Sequence, residues 1–105
     1  LLDECGIEIL LVGDTLGEVV QGNSSTLPVT IEQMCYHVSM VARGASRAFV
    51  IGDMPFMSYA TVNDSLKNAA QLMQAGAQMV KMEGGEWLAE TIFQLTERGI
   101  PVCGH

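Results

Sequence analysis

Basic residues are scarce. Five Lys and Arg stand against twelve Asp and Glu in 105 residues, a formal charge of −7. The five, Arg43, Arg47, Lys67, Lys81 and Arg98, are scattered and not clustered. Binding to nucleic-acid phosphates needs a basic patch, so nucleic acid is excluded as a partner, and an acidic membrane surface with it. Cysteine is equally sparse: Cys5, Cys35 and Cys103 are far apart and form no C-x-x-C pair. That excludes a zinc cluster or a disulfide framework and leaves free, buried thiols in a reducing compartment. No apolar run approaches the ~20 residues of a membrane span. The one Gly-rich phosphate-loop candidate, "GDTLG" at Gly13–Gly17, has neither G-x-G-x-x-G spacing nor a P-loop lysine.

What is present is apolar residues, 49% of the chain, enough for one small folded core. They come in alternating patterns. Ile7–Val12 reads as a buried strand, and Asp14–Pro28 as a long polar loop of the kind that often carries function. Thr30 with Gln33 makes a capping box, after which Ile31, Met34, Val38, Val41 and Ala42 line one helical face up to Gly44. Arg47–Ile51 is the second strand, with Gly52 and Asp53 just beyond it, and Pro55 delays the next helix. Thr61 or Asn63 caps that helix, whose face is Leu66, Ala69, Ala70 and Met73 and whose stop is Gly76. Gln78–Met82 is a third strand. Trp87, Leu88, Ile92 and Leu95 mark a third helix ending near Gly99, and Ile100–Cys103 is a fourth strand. Met57, Met73, Met79 and Met82 read as core filler. No Asn-Gly hairpin signal separates the strands. The order β-α-β-α-β-α-β therefore predicts an α/β fold with a parallel sheet.

In such a sheet, sites form where the strands end. Asp14 and Asp53 each follow a strand, Lys81 and Glu83 share one face at the end of the third, and His105 closes the fourth. Taken singly these residues have plainer readings. An Asp after a strand is as a rule a turn residue or cap, Lys81 with Glu83 makes a structural ion pair, and His37 is a packing or surface residue. Taken together on one rim, three carboxylates and an ammonium suit a hard divalent cation. Mg²⁺ takes oxygen ligands and relieves the repulsion between the acids.

The segments "VGDTLGEVVQG", "STLPVT", "DMPFMSY", "NAAQLMQAGAQMVKMEGG" and "IPVCGH" resemble ketopantoate hydroxymethyltransferase over almost the whole chain. The resemblance implies half of a TIM (β/α)8 barrel, with residues 1–105 forming one partial domain truncated at both ends. It implies Mg²⁺ held by Asp14, Asp53 and Glu83. It also implies binding of 3-methyl-2-oxobutanoate by Asp14, Thr15, Asp53, Lys81 and His105. The implied chemistry is enolisation of that 2-oxo acid and attack on the one-carbon unit of 5,10-methylenetetrahydrofolate, as a step of pantothenate synthesis. The general base is expected beyond His105, so the excerpt alone is expected to be inactive. A cytoplasmic homo-oligomer, a decamer in the family, is implied as well. Thr15 stands where many relatives have Ser, and Asn23 where a His often follows the Gly. The competing expectation is a doubly wound phospho-acceptor signalling domain, which also gathers acids, a lysine and Mg²⁺ at strand ends.

Overall fold

A computed structural model describes residues 9–13, 29–44, 48–55 and 57–104. Its elements are β1 (Ile9–Val12), α1 (Ile31–Gly44), β2 (Phe49–Asp53), α2 (Val62–Ala75), β3 (Met79–Met82), a 3-10 turn (Glu86–Leu88), α3 (Ala89–Glu97) and β4 (Val102–Gly104). The four strands form one parallel sheet in the order β1-β2-β3-β4. The polar loop expected over residues 14–28 lies outside the described residues.

Local chemistry accounts for where the helices begin and end. At α1 the Thr30 N–H donates to Gln33 Oε1 at 2.9 Å, and the Gln33 N–H donates to Thr30 Oγ1 at 3.2 Å. This is the expected capping box, and it satisfies two N–H groups that the helix itself cannot. At α2 the cap is Thr61, not Asn63: its extended backbone lets Oγ1 accept the Asp64 N–H at 3.0 Å. The α2 stop is Gly76, whose φ of +126° suits glycine. A side chain there is also blocked by space, because an added Cβ would lie 2.5 Å from the Ala42 Cβ of α1.

The helices lie side by side, α1 against α2 and α2 against α3, and cover one face of the sheet. Met34 and Val38 from α1, Ala69 and Leu72 from α2, and Leu95 from α3 meet Val12, Val50, Val80 and Met82 from the strands. Full burial of a side chain of this size contributes about 1.5–3 kcal/mol. Gly52 lies against the helix layer on this face: a Cβ there would touch Ala77, Val38 and Leu72 at 3.4–3.5 Å.

Several expectations need correction. The buried ridge of α2 runs through Ser65, Ala69 and Leu72, with Ala70 only half-buried beside it. Ser65 can be buried because its Oγ donates to the Thr61 carbonyl at 2.7 Å. Trp87 does not join the α3 face; it is 62% exposed, while Leu88 next to it is buried. Met57 is not core filler either: it is 63% exposed, with φ +65°. Two of the strands end later than their apolar runs do. β2 includes Gly52 and Asp53, and β4 spans Val102–Gly104, because pairing with a neighbour and not hydrophobicity alone sets strand limits.

The sheet order also decides between the two fold expectations. A doubly wound sheet reverses its strand order at a switch point and puts helices on both faces. Here successive strands are neighbours throughout and the described helices share one face. This is the parallel βα repeat of barrel type expected from the sequence. Among the described residues no helix is long and apolar enough to cross a membrane.

Candidate functional site

Side chains alternate along a strand, so Gly52 facing the helices turns Asp53 to the opposite face. Ladder partners in a parallel pair point the same way. Asp53 is paired with Lys81, and Lys81 with Cys103, so these three form one row on the face away from the helices. Met82 behaves as the alternation requires and is fully buried on the helix side. Glu83 follows directly and returns to the Asp53 side, where its Oε1 accepts from Lys81 Nζ at 2.7 Å. The row lies at the C-terminal ends of β2 and β3, the edge where parallel sheets carry their sites.

The environments within the row differ. Asp53 is 7% exposed, whereas the Glu83 side chain is 55% exposed and reaches solvent. No buried side-chain nitrogen or oxygen among the described residues lacks a hydrogen-bond partner. Asp53 and Glu83 are hard oxygen donors, and the Lys81 ammonium compensates the Glu83 carboxylate. A second cation brought to this edge would compete with the Lys81 ammonium for Glu83.

The structure thus brings together Asp53, Lys81 and Glu83. Asp14, Thr15 and His105 lie outside the described residues. Among the described residues no three of His, Cys, Asp and Glu gather closely enough to hold a metal ion. The expected third ligand, Asp14, is not among them. β1 runs parallel to β2, with Val12 paired to Gly52, so the chain leaves β1 at the same edge of the sheet. His37 is half-buried on α1, edge-on to the Tyr36 ring at 5.3 Å, in keeping with a packing role. Cys35 and Cys103 are free thiols, each only partly buried. Burial, and secondarily the Glu32 carboxylate, pushes the Cys35 thiol up from its ordinary pKa, which leaves it a poor nucleophile.

Sequence reasoning missed the aromatic wall beside this edge. Tyr59, in the segment between β2 and α2, donates its hydroxyl to the Glu83 carbonyl at 3.0 Å. Its ring lies parallel to that of Trp87, 6.1 Å between centroids and 2° between planes. Met57, Tyr59, Ala60 and Trp87 line a shallow depression of about 210 Å³. The available signal was positional: a tyrosine in a strand-to-helix connection of a parallel sheet sits on the functional edge.

A family model described as ketopantoate hydroxymethyltransferase matches residues 1–105. A 3-methyl-2-oxobutanoate hydroxymethyltransferase of Saccharophagus degradans is 58% identical over 105 residues, which is all of this chain and 39% of the relative. One of Janthinobacterium sp. is 60% identical over 105 residues, again all of this chain and 39% of the relative. One of Shewanella pealeana is 61% identical over 103 residues, 98% of this chain and 39% of the relative. The chain therefore spans about two fifths of the length of the curated relatives it matches.

Proposed function

The chain belongs to the ketopantoate hydroxymethyltransferase family, and from that premise we propose that it forms part of an enzyme that transfers a hydroxymethyl group to 3-methyl-2-oxobutanoate. The observation that carries the reading is the row of Asp53, Lys81 and Glu83 at one strand edge, with the ammonium and a carboxylate oxygen in contact at 2.7 Å. A 2-oxo acid offers a carboxylate and an adjacent keto oxygen. Two protein carboxylates and one lysine are the complement such a ligand needs if a divalent cation lies between them.

The donor set fits Mg²⁺, which prefers hard oxygens and keeps places for water and substrate. Asp53, Glu83 and Asp14 would hold it; the exit of β1 at this edge supports the inclusion of Asp14. When bound, Mg²⁺ supplies Lewis acidity at the keto oxygen, which makes the C3 proton easier to remove. Lys81, on β3, would bind the substrate carboxylate as a point charge at the end of a flexible four-carbon stem. Asp14 and Thr15 would hold the acid from the first connection, and His105, the residue after β4 in the sequence, would join them. In the reaction C3 loses a proton and forms one carbon–carbon bond. The methylene carbon leaves both folate nitrogens and takes its hydroxyl oxygen from water, so tetrahydrofolate and 2-dehydropantoate are the products. The base that takes the C3 proton is assigned to a part of the protein beyond His105. A (β/α)8 barrel, a cytoplasmic location and a homo-oligomeric assembly belong to the same reading.

The test is turnover in a full-length protein that carries this segment, given 3-methyl-2-oxobutanoate and 5,10-methylenetetrahydrofolate. We expect 2-dehydropantoate to form, to stop when EDTA removes the metal, and to return with Mg²⁺. Asp53→Asn and Glu83→Gln should each lower kcat/KM at least a hundredfold, about 2.7 kcal/mol. Undiminished turnover in both variants would refute the assignment of this row.

A further inference from the structure

Tyr59 holds a hydrogen bond that the chemistry described so far does not use. The carbonyls of Lys81 and Glu83 point to the same side of the chain, two residues apart. That of Lys81 accepts from the Met54 N–H at 3.0 Å, across the β2–β3 boundary. That of Glu83 accepts from the Tyr59 hydroxyl at 3.0 Å. A side chain from the β2–α2 connection thus supplies one more rung beyond the last ladder residue of β3, Met82. The rung falls at the residue whose side chain meets Lys81.

The chain after Glu83 gives that residue little restraint of its own, because Gly84 and Gly85 follow. Two contacts replace it. Leu88 and Trp87 press on Gly84 so closely that a Cβ there would lie 2.7 Å from Leu88 Cδ1 and 2.8 Å from Trp87 Cζ2. The Trp87 ring lies parallel to that of Tyr59, and the Tyr59 hydroxyl ties off the Glu83 carbonyl. The segment that carries Tyr59 is itself fastened: Ser58 donates its N–H and its hydroxyl to the Pro55 carbonyl at 3.0 and 2.7 Å, and its carbonyl accepts from Asn68 Nδ2 of α2 at 2.7 Å.

We propose that Tyr59 is a positioning residue for Glu83. By holding the Glu83 backbone at the end of β3 it sets the place of the carboxylate beside Lys81 and Asp53, and so the affinity of this edge for a divalent cation. The proposal rests on the metal-binding reading of Asp53 and Glu83 given above. Outer partners that orient a ligand are worth about 10–100-fold in metal affinity. A hydroxyl that acts through the backbone belongs at the lower end of that range.

The test is Mn²⁺ titration, followed by the loss of the free-ion electron paramagnetic resonance signal, in a full-length protein carrying this segment. Four forms are compared: unaltered, Tyr59→Phe, Trp87→Leu and Glu83→Gln. Tyr59→Phe keeps the ring and removes only the hydroxyl. It should weaken Mn²⁺ binding about tenfold while the melting temperature of the metal-free protein stays within about 2 °C. Trp87→Leu keeps the hydroxyl and should weaken binding less than Tyr59→Phe does. Glu83→Gln should remove most of the binding. Mn²⁺ affinity unchanged in Tyr59→Phe, with Glu83→Gln impaired, overturns the positioning role and leaves the metal reading intact. So does a Trp87→Leu loss as large as that of Tyr59→Phe, since the ring pair and not the hydroxyl would then matter. A Tyr59→Phe protein that fails to fold also overturns the role, because the hydroxyl would then support more than this turn. Unaltered protein that binds no Mn²⁺, or a Glu83→Gln protein that binds it as tightly, removes both readings together.

Discussion

The two faces of the sheet are built to different rules. On the helix face, Val12, Val50, Val80 and Met82 meet three helices and are buried; the Gly52 position is so close to α1 and α2 that a methyl group would touch them. On the other face, Leu11 is 53% exposed and Ile9 more so, Ile51 and Met79 are half-covered, and among the described residues charge gathers at the C-terminal row of Asp53, Lys81 and Glu83. One face is closed by the chain's own helices. The other is an apolar floor with a charged rim, and its apolar part gains stability only from something laid over it. In a parallel barrel that cover is the side chains of the remaining strands. The relatives, of which this chain spans about two fifths, have length to supply them.

The largest expected effect follows from this contrast. The 105-residue chain by itself should associate or remain loosely packed, because large apolar side chains on an open face favour contact with another surface. Sedimentation and a dye that reports exposed apolar surface are the measurements. Replacing Ile9 and Leu11 together by Ser should reduce both association and dye binding. A sharp, monomeric, cooperative melt of the unaltered chain at low concentration would show that the open face needs no cover, and the contrast between the faces would be lost.

Next comes the closed face. Leu72 is fully buried between α2 and the sheet, so Leu72→Ala in a full-length protein that carries this segment should cost about 2–5 kcal/mol by denaturant titration. Its counterpart on the floor, Leu11→Ala, sharpens the comparison. It should be costly in the full-length protein, where the floor is covered, and within about 0.5 kcal/mol in any form that leaves the floor open. Equal costs in both settings would mean that the exposure of Leu11 has no bearing on how the face is completed.

A smaller effect belongs to the edge of the helix layer. Thr61→Ala removes the Oγ1 acceptor for the Asp64 N–H and should cost about 1 kcal/mol. Thr61→Ser should recover most of it, as read by thermal unfolding. The same position shows what was legible in advance. Both caps, the glycine stops at Gly76 and Gly99 and the β-α alternation rest on interactions between residues a few positions apart, and those can be read along the chain. Strand limits could not be read so well: β2 carries Asp53 inside the sheet because Lys81, far along the chain, is there to pair with it. Trp87 and Met57 were misjudged for a related reason. Hydrophobicity says that a side chain prefers cover, not that cover exists, and both lie on the connections at the rim. Ser65 lay outside the apolar pattern of α2, since burial of a polar residue shows only once its hydroxyl is seen bonded one turn back. The pairing of Lys81 with Glu83 was visible because two-residue spacing on a strand needs no partner strand to interpret.

The smallest expected effect on stability is at the charged rim, and it decides whether the rim is structural or functional. The Lys81–Glu83 contact is short, but its carboxylate partner is more than half exposed, and ion pairs of that kind contribute about 0–1 kcal/mol. Glu83→Gln should therefore leave the unfolding free energy of the metal-free full-length protein within about 1 kcal/mol of the original. A ligand that binds only the folded state raises stability by an amount set by its concentration relative to Kd. Millimolar Mg²⁺ should accordingly raise the melting temperature of the unaltered protein and leave that of Glu83→Gln unmoved. The two halves of this expectation separate the roles. A Glu83→Gln protein that loses several kcal/mol without metal would place Glu83 among the residues that hold the sheet together, like Leu72. A protein that keeps its fold but loses the Mg²⁺ response marks a carboxylate kept at the strand edge for the ion and not for the fold.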